Sequence, residues 1–112
     1  MAKLTVIKSN TEFRTLYYRG KTQVHAGLVT YARRNRLGVP RVGITTGKKI
    51  GKAVQRNRCR RVIREAYRML LPTLHGGWDL VFVARARTLS LTSHQVRQVM
   101  EHHLKALGVL DS

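Results

Sequence analysis

Residues 48–71 read KKIGKAVQRNRCRRVIREAYRMLL, and Pro72 follows them. Apolar side chains recur in this stretch at positions i, i+3, i+4, i+7 and i+11, which is the spacing of one narrow helix face. These residues are Cys59, Val62, Ile63, Ala66 and Leu70. Because proline cannot continue a helix, the pattern predicts one long helix over residues 48–71, entered at Gly47 and Gly51.

Capping signals predict two more helices, one on each side of this stretch. Ser9 and Glu12 have the spacing of a capping box, in which each side chain bonds the backbone N–H of the other. Thr92 and Gln95 repeat that spacing before the last helix. The apolar face of the first helix is Phe13, Leu16 and Tyr17, and that of the last is Val96, Val99, Met100, Leu104 and Leu107.

Three segments are predicted to be strands. Residues 22–32 are rich in Val, Leu, Thr and Tyr and are interrupted by Gly27. Arg41–Thr45 alternates in polarity, and Trp78–Ala84 is a nearly continuous apolar run typical of a central strand. The order helix, two or three strands, helix, strand, helix predicts an α+β sandwich built on one sheet. No linker or repeat divides residues 1–112, so we expect one domain.

The charge balance is strongly basic. The 112 residues carry 22 Lys+Arg and 5 Asp+Glu, a formal net charge of +17, with a pI of about 11.6. The five acids lie far apart in the sequence, which disfavours an acid–base enzyme that uses a carboxylate pair. The excess charge indicates a polyanionic partner, with nucleic acid the first candidate and an anionic membrane the second.

Nine of the 22 basic residues fall within residues 48–68. On a helical projection six arginines spread around most of the helix surface outside the apolar stripe, with Asn57 among them. We call these seven residues the arginine fan: Arg56, Asn57, Arg58, Arg60, Arg61, Arg64 and Arg68. Three lysines precede it: Lys48, Lys49 and Lys52. A solvated face gains from pairs of opposite charge, but only Glu65 interrupts this set, and guanidinium groups bind two phosphate oxygens at once. The pattern therefore favours a nucleic-acid backbone over a merely solvated face.

Aromatic residues form a second candidate site. Phe13 and Tyr17 share one face of the first predicted helix, and Tyr31 lies on a predicted strand. Aromatic rings stack on unpaired bases, each worth about 1–3 kcal/mol. The three rings indicate a site for single-stranded nucleic acid. For Phe13 the alternative is that it only seals the helix onto the sheet.

No catalytic or metal site is predicted in the protein itself. His102 and His103 are neighbours on the last helix and point about 100° apart, so they cannot easily converge on one ion. Cys59 lies in the apolar stripe and is predicted to be a buried small hydrophobe. The single cysteine, the short apolar runs and the lack of a secretory signal after Met1 predict a cytoplasmic protein that spans no membrane.

Residues 41–44 (RVGI) and 48–68 closely resemble the signature of the bacterial ribonuclease P protein component. Residues 79–85 (DLVFVAR) and 13–20 match in kind and order. The resemblance implies a single RNA-binding domain with an αβββαβα sandwich fold. It also implies a mostly antiparallel four-stranded sheet with a left-handed βαβ crossover, where general rules favour the right-handed one.

The resemblance also implies a function. Members of this family are the protein subunit of ribonuclease P, an endoribonuclease that removes the 5′ leader of precursor tRNA. The RNA subunit performs the hydrolysis with Mg²⁺ bound mainly by RNA, and no protein residue is catalytic. The implied partners are ribonuclease P RNA and precursor tRNA, without an obligatory protein partner. By resemblance, the arginine fan and the three lysines bind the catalytic RNA, and Phe13, Tyr17 and Tyr31 hold the leader.

Two other classes of function stay open on composition alone. A basic ribosomal or nucleoid protein that binds rRNA or DNA structurally has the same charge balance. A basic amphipathic helix can also lie on an anionic membrane, but the apolar face here is narrow and is needed for packing against the sheet. Only the ordered motif favours ribonuclease P.

Overall fold

Three helices and four strands form the regular structure of residues 4–111, the part of the chain that the computed structural model describes. In chain order they are α1 (Asn10–Arg19), β1 (Lys21–His25), β2 (Leu28–Arg34), β3 (Arg41–Thr45), α2 (Ala53–Leu70), β4 (Trp78–Ala84) and α3 (Ser93–Ala106). The predicted α+β class and order of elements are confirmed. Residues 1–3, part of the segment predicted to lack a secretory signal, and residue 112 lie outside the described residues.

The four strands form one mixed sheet in the order β1-β2-β4-β3. β1 pairs with β2 and β2 with β4 in antiparallel fashion, whereas β3 pairs with β4 in parallel. A parallel pair needs a crossover connection, which α2 provides between β3 and β4. The mostly antiparallel sheet is confirmed, and the left-handed sense of the crossover stays a prediction. Gly27 lies in the tight connection from β1 to β2, where its N–H donates to His25 Nδ1 at 2.9 Å.

Helices α2 and α3 cover one face of the sheet. The predicted stripe of α2 is buried, and the side chain of Cys59 is fully inaccessible. Tyr67 is also buried on this side of α2. Its ring packs on Phe82 of β4, with 5.8 Å between the ring centroids. Burial raises the pKa of Tyr67 to about 12. Because the apolar face of α2 packs into this core, it cannot also bind a membrane surface.

The predicted start of the long helix is wrong. Residues Lys48–Ile50 form a separate 3₁₀ turn, and α2 begins only at Ala53. Gly51 lies between them with φ of 139°, a conformation that favours glycine and that interrupts the helix. The N–H of Lys52 then donates to Gln55 Oε1 at 2.8 Å at the true start of α2.

Helix α1 covers part of the opposite face of the sheet. Its buried residue is Leu16, which packs with Ile7 and with Val81 of β4 in a second, smaller core cluster. This single helix is short, so the sheet face beside it stays partly open. The open face is the site described below.

His103 of α3 is a buried histidine between α3 and the sheet. Its side chain is 2% exposed, and its Nδ1 lies 2.8 Å from Thr30 Oγ1 on β2. Burial, together with the nearby His25 and His102, lowers the pKa of His103 to about 4. The ring is therefore neutral at pH 7.

We expect this histidine to reduce stability by about 1–2 kcal/mol between pH 7 and pH 5. The unfolded imidazole takes up a proton near pH 6.5, whereas the folded one stays neutral until about pH 4. The unfolded state thus binds more protons in this interval, and acid favours it. Urea unfolding at both pH values measures the loss. His103→Gln, which can still bond Thr30, should remove this part of the pH dependence, and an unchanged dependence contradicts the assignment.

Candidate nucleic-acid interface

The arginine fan lies on the solvent-facing side of α2. Five members are exposed and two are partly buried: Asn57, Arg58, Arg61, Arg64 and Arg68 in the first group, Arg56 and Arg60 in the second. Arg60 Nη1 donates to Asn57 Oδ1 at 2.9 Å. Within residues 4–111, no arginine of the fan lies within 4.0 Å of a carboxylate. The fan is therefore a cationic surface without internal compensation.

The three predicted lysines lie at the end of the sheet where α2 begins. All are exposed, on the 3₁₀ turn or at the first turn of α2: Lys48, Lys49 and Lys52. Two of them, Lys48 and Lys49, border a hollow whose wall includes Val29 and Val83. Alternate residues of a strand share a face, so Val29 lies on the same sheet face as Tyr31. The lysines thus adjoin the open face of the sheet.

The three predicted aromatic residues come together between α1 and the sheet. The rings of Tyr17 and Tyr31 meet edge to face with centroids 4.9 Å apart, and Tyr17 is 40% exposed. Phe13 is partly buried against Leu16, and a Cβ on Gly43 would lie 2.6 Å from its ring. Phe13 therefore helps to seal α1 onto the sheet, while Tyr17 offers ring surface to solvent.

One hollow joins the aromatic residues to the arginine fan. It is open, has a volume of about 500 Å³ and is lined by Asn10, Phe13, Arg14, Tyr17, Ile44, Thr45, Thr46 and Arg60. Arg60 belongs to both sets, because it projects from α2 while bordering the aromatic residues of α1. The two sites predicted separately from the sequence are thus one continuous surface.

Thr46, on the wall of this hollow, carries a buried hydroxyl without a hydrogen-bond partner among the described residues. We expect Thr46→Val to leave the free energy of unfolding unchanged or to raise it by about 1 kcal/mol, because it removes an unpaired buried polar group. Thr88→Val is the matched control. The Thr88 hydroxyl donates to Gly27 O at 2.7 Å and accepts from Arg85 N–H at 2.9 Å, so this variant should lose stability. Equal losses in the two variants, measured by urea unfolding, contradict the prediction.

Arg41 fastens α1 to the sheet. Its Nε and Nη2 donate to the two carboxylate oxygens of Asp79 at 2.9 and 2.8 Å, and Nη2 also contacts Glu12. The hydrogen bonds to Asp79 raise the pKa of Arg41 above its ordinary value, although burial opposes them. Ser9 caps α1 as predicted, because Ser9 Oγ accepts from Thr11 N–H at 3.1 Å. The predicted return bond from the Glu12 side chain is wrong, because Glu12 contacts Arg41 instead. Two acids that are distant in sequence thus meet on one guanidinium.

Comparisons with known proteins agree on one family. The family model described as ribonuclease P matches residues 1–108. The chain belongs to the ribonuclease P protein family. The ribonuclease P protein component of Caldanaerobacter subterraneus subsp. tengcongensis is 41% identical over 103 residues, which cover 92% of this chain and 89% of that protein. That of Clostridium botulinum is 38% identical over 104 residues, covering 92% and 94%.

The fold agrees with solved structures of ribonuclease P proteins. The RNase P protein of Staphylococcus aureus superposes with a TM-score of 0.84 at 31% identity, covering 97% of this chain and 100% of that one. Membership in the ribonuclease P protein family makes this chain a subunit of a ribonuclease with an RNA partner. It supports that class over a structural ribosomal or nucleoid protein. No helix within residues 4–111 is long and apolar enough to cross a membrane.

Sequence reasoning missed two residues of this ribonuclease P protein surface. Arg14 lines the hollow beside Phe13, and Asn10 lies one helical turn before it. The signal was present, since residues 10, 13, 14 and 17 have the i, i+3, i+4, i+7 spacing of one helix face. In the sequence, Arg41 stands out only as the first residue of the motif at positions 41–44. Its two partners lie far away in sequence, so no local pattern marks the ion pair.

Proposed function

We propose that this chain binds the catalytic RNA of ribonuclease P and holds the 5′ leader of precursor tRNA while the RNA removes that leader. The observation that carries the proposal is the position of Arg60, which belongs to the arginine fan and also lines the hollow beside Phe13 and Tyr17. A surface suited to RNA backbone therefore continues into a surface suited to unpaired bases.

In this proposal the arginine fan and the three lysines dock on the catalytic RNA. Their charges are uncompensated within the described part of the protein, so phosphates relieve the mutual repulsion of the i, i+4 arginines. Each arginine can bind two phosphate oxygens in a fixed plane. The buried stripe on the other side of α2 holds the helix in place, so the cations are presented from a rigid element.

The leader lies in the hollow between α1 and the sheet and extends to Tyr31, whose ring contacts that of Tyr17 beside the hollow. Unpaired bases stack on these two rings. Arg14 and Arg60, on either side of the hollow, neutralise the leader phosphates. Because stacking is possible for every base, this site tolerates different leader sequences.

The chemistry belongs to the RNA in this proposal. Mg²⁺ prefers oxygen ligands and uses carboxylates when a protein holds it. Glu12 and Asp79, the carboxylates that meet beside α1, are bound by Arg41 and do not form a cation site. Among residues 4–111 no cluster of three His, Cys, Asp or Glu side chains could hold a metal ion. The proposal therefore places Mg²⁺ mainly on the RNA. It also assigns the protein and its RNA partners to the cytoplasm, the compartment expected from the sequence.

Cleavage of precursor tRNA tests the proposal. The catalytic RNA is assayed with and without this protein at low Mg²⁺, where phosphate repulsion is poorly screened. We expect the protein to restore cleavage at the mature 5′ end, and the protein alone to cleave nothing. Cleavage by the protein without RNA overturns the non-catalytic role. No restoration at low Mg²⁺ contradicts the proposed role in leader removal.

A further inference from the structure

Helix α1 is attached to the sheet by few apolar contacts. Of its ten residues only Leu16 is buried, and Phe13 beside it is partly buried. An apolar row as narrow as this leaves the rotation of the helix about its own axis weakly fixed, because a small rotation keeps Leu16 in place. A polar contact to one side of that row therefore decides the rotation.

The two sides of α1 have different surroundings. One side carries Arg14 and Tyr17, which line the hollow that the proposed function assigns to the leader. The other side carries Glu12, whose carboxylate contacts Arg41 Nη2 at the start of β3. On a helix with 3.6 residues per turn, Tyr17 lies about 140° around the axis from Glu12, and Leu16 lies between them. A rotation of α1 that separates Glu12 from Arg41 therefore also moves the side that lines the hollow.

Arg41 is fastened to the sheet independently of α1. Its Nε and Nη2 donate to the two carboxylate oxygens of Asp79 at 2.9 and 2.8 Å, and Asp79 Oδ1 also accepts from Asn35 Nδ2 at 2.8 Å. Both side chains of this pair are mostly buried, so solvent and salt screen it weakly. Two parallel hydrogen bonds fix the plane of a guanidinium group. Arg41 therefore presents a fixed point to which the carboxylate of Glu12 can attach.

A small rotation of α1 has a large effect at the hollow. A rotation of about 20° moves an atom that lies about 5 Å from the helix axis by roughly 2 Å. The rings of Tyr17 and Tyr31 have centroids 4.9 Å apart, so a shift of this size disturbs their edge-to-face contact and the surface that they offer to a base.

We propose that Arg41 is a positioning residue for leader binding, which acts through Glu12 to set the rotation of α1 and with it the placement of Tyr17 and Arg14. The inference rests on the proposed function, because it takes the leader from there. In this role Arg41 does not touch RNA. It fixes the ring and the cation that do, and it keeps the hollow preformed before the leader arrives.

Two single variants break the contact from opposite sides. Glu12→Ala removes the carboxylate on α1 and leaves the pair of Arg41 with Asp79 intact. Arg41→Lys keeps the charge and leaves α1 unchanged, but one ammonium group cannot reproduce the planar fork that reaches both carboxylates. Thermal unfolding confirms that each variant is folded.

Glu101→Ala on α3 is the matched control. The Glu101 side chain is 35% exposed and that of Glu12 is 36% exposed, and Glu101 lies 3.2 and 3.5 Å from the cationic groups of Arg97 and Lys105. Both alanine variants carry a net charge of 22 − 4 = +18. The control therefore removes an equally exposed, paired acid from a helix on the other face of the sheet.

The measured quantity is the leader ratio, the affinity of the holoenzyme for precursor tRNA with a long leader divided by its affinity for mature tRNA. We expect Glu12→Ala and Arg41→Lys each to lower the leader ratio about 3- to 10-fold, comparable to a weak base stack. The double variant should lose no more than the larger single loss, because both changes act through one contact. The affinity for catalytic RNA and the single-turnover cleavage rate at saturating holoenzyme should stay unchanged, which a general loss of folded protein would not allow.

Three results overturn the inference. The first is a leader ratio that stays at the wild-type value in both variants. The second is a loss in Glu12→Ala alone, because the effect then belongs to α1 itself, whose first turn is stabilised by an acidic residue. The third is an equal loss in Glu101→Ala. A wild-type holoenzyme that binds precursor and mature tRNA equally well is a different result and counts against the proposed function instead.

Discussion

Replacing Arg56, Arg58, Arg60 and Arg61 together by glutamine should lower the slope of log K against log salt for catalytic-RNA binding by about 3. Each phosphate contact releases about 0.7–0.9 of a condensed counterion, and four contacts are removed. The variant should also bind more than about a hundredfold more weakly at moderate salt. None of the four side chains belongs to the buried stripe of α2, so we expect the fold to persist.

A scattered control separates local contacts from total charge. Replacing Lys8, Lys21, Arg87 and Lys105 by glutamine lowers the net charge by the same amount without touching the arginine fan. We expect this control to change the slope by less than about 1. Binding is measured by filter retention or fluorescence anisotropy over a series of salt concentrations. If the two variants have the same slope, the fan is not the docking surface.

Tyr31→Ala should weaken the binding of precursor tRNA with a long leader by about 5- to 150-fold, and that of mature tRNA little. The loss corresponds to one base stack of about 1–3 kcal/mol. The substitution also removes the edge-to-face partner of Tyr17, whose ring lies 4.9 Å away, so the whole stacking surface is disturbed. The measurement compares the affinity of the holoenzyme for the two substrates.

Two controls accompany Tyr31→Ala. Tyr31→Phe keeps the ring and should retain leader binding, which shows that the effect comes from stacking. Tyr18→Ala removes a tyrosine of α1 that is 88% exposed and belongs neither to the hollow nor to the Tyr17–Tyr31 ring pair, so it should be neutral. An equal loss for precursor and mature tRNA in Tyr31→Ala shows that Tyr31 does not contact the leader.

The sequence predicted those elements that depend on local signals. The capping box of α3 is present, with Thr92 Oγ1 accepting from Gln95 N–H at 3.2 Å and Thr92 N–H donating to Gln95 Oε1 at 2.9 Å. The stripe of α2 was predicted because 3.6-residue periodicity is local. The predicted start of α2 at residue 48 is too early, because Gly47 and Gly51 both mark an entry and the positive φ of Gly51 is not visible in composition.

Local sequence patterns do not predict features that join residues far apart in the chain. The pairing of β3 with β4 and the ion pair of Arg41 with Glu12 and Asp79 join segments that are far apart in the chain. The candidate site shows the same division. Its basic and aromatic members were found separately by type and spacing, but their union through Arg60 required the packing of α1 and α2 on the sheet.

Position-specific cross-linking tests most directly whether the arginine fan and the aromatic hollow form one RNA surface. A precursor tRNA with 4-thiouridine in its leader is bound to the holoenzyme and irradiated, and the linked peptides are identified by mass spectrometry. We expect cross-links to residues 10–17 of α1 and to Tyr31, with Arg60 at the border of the linked region. Cross-links from the leader only to other parts of the protein, in a holoenzyme that still cleaves normally, contradict it.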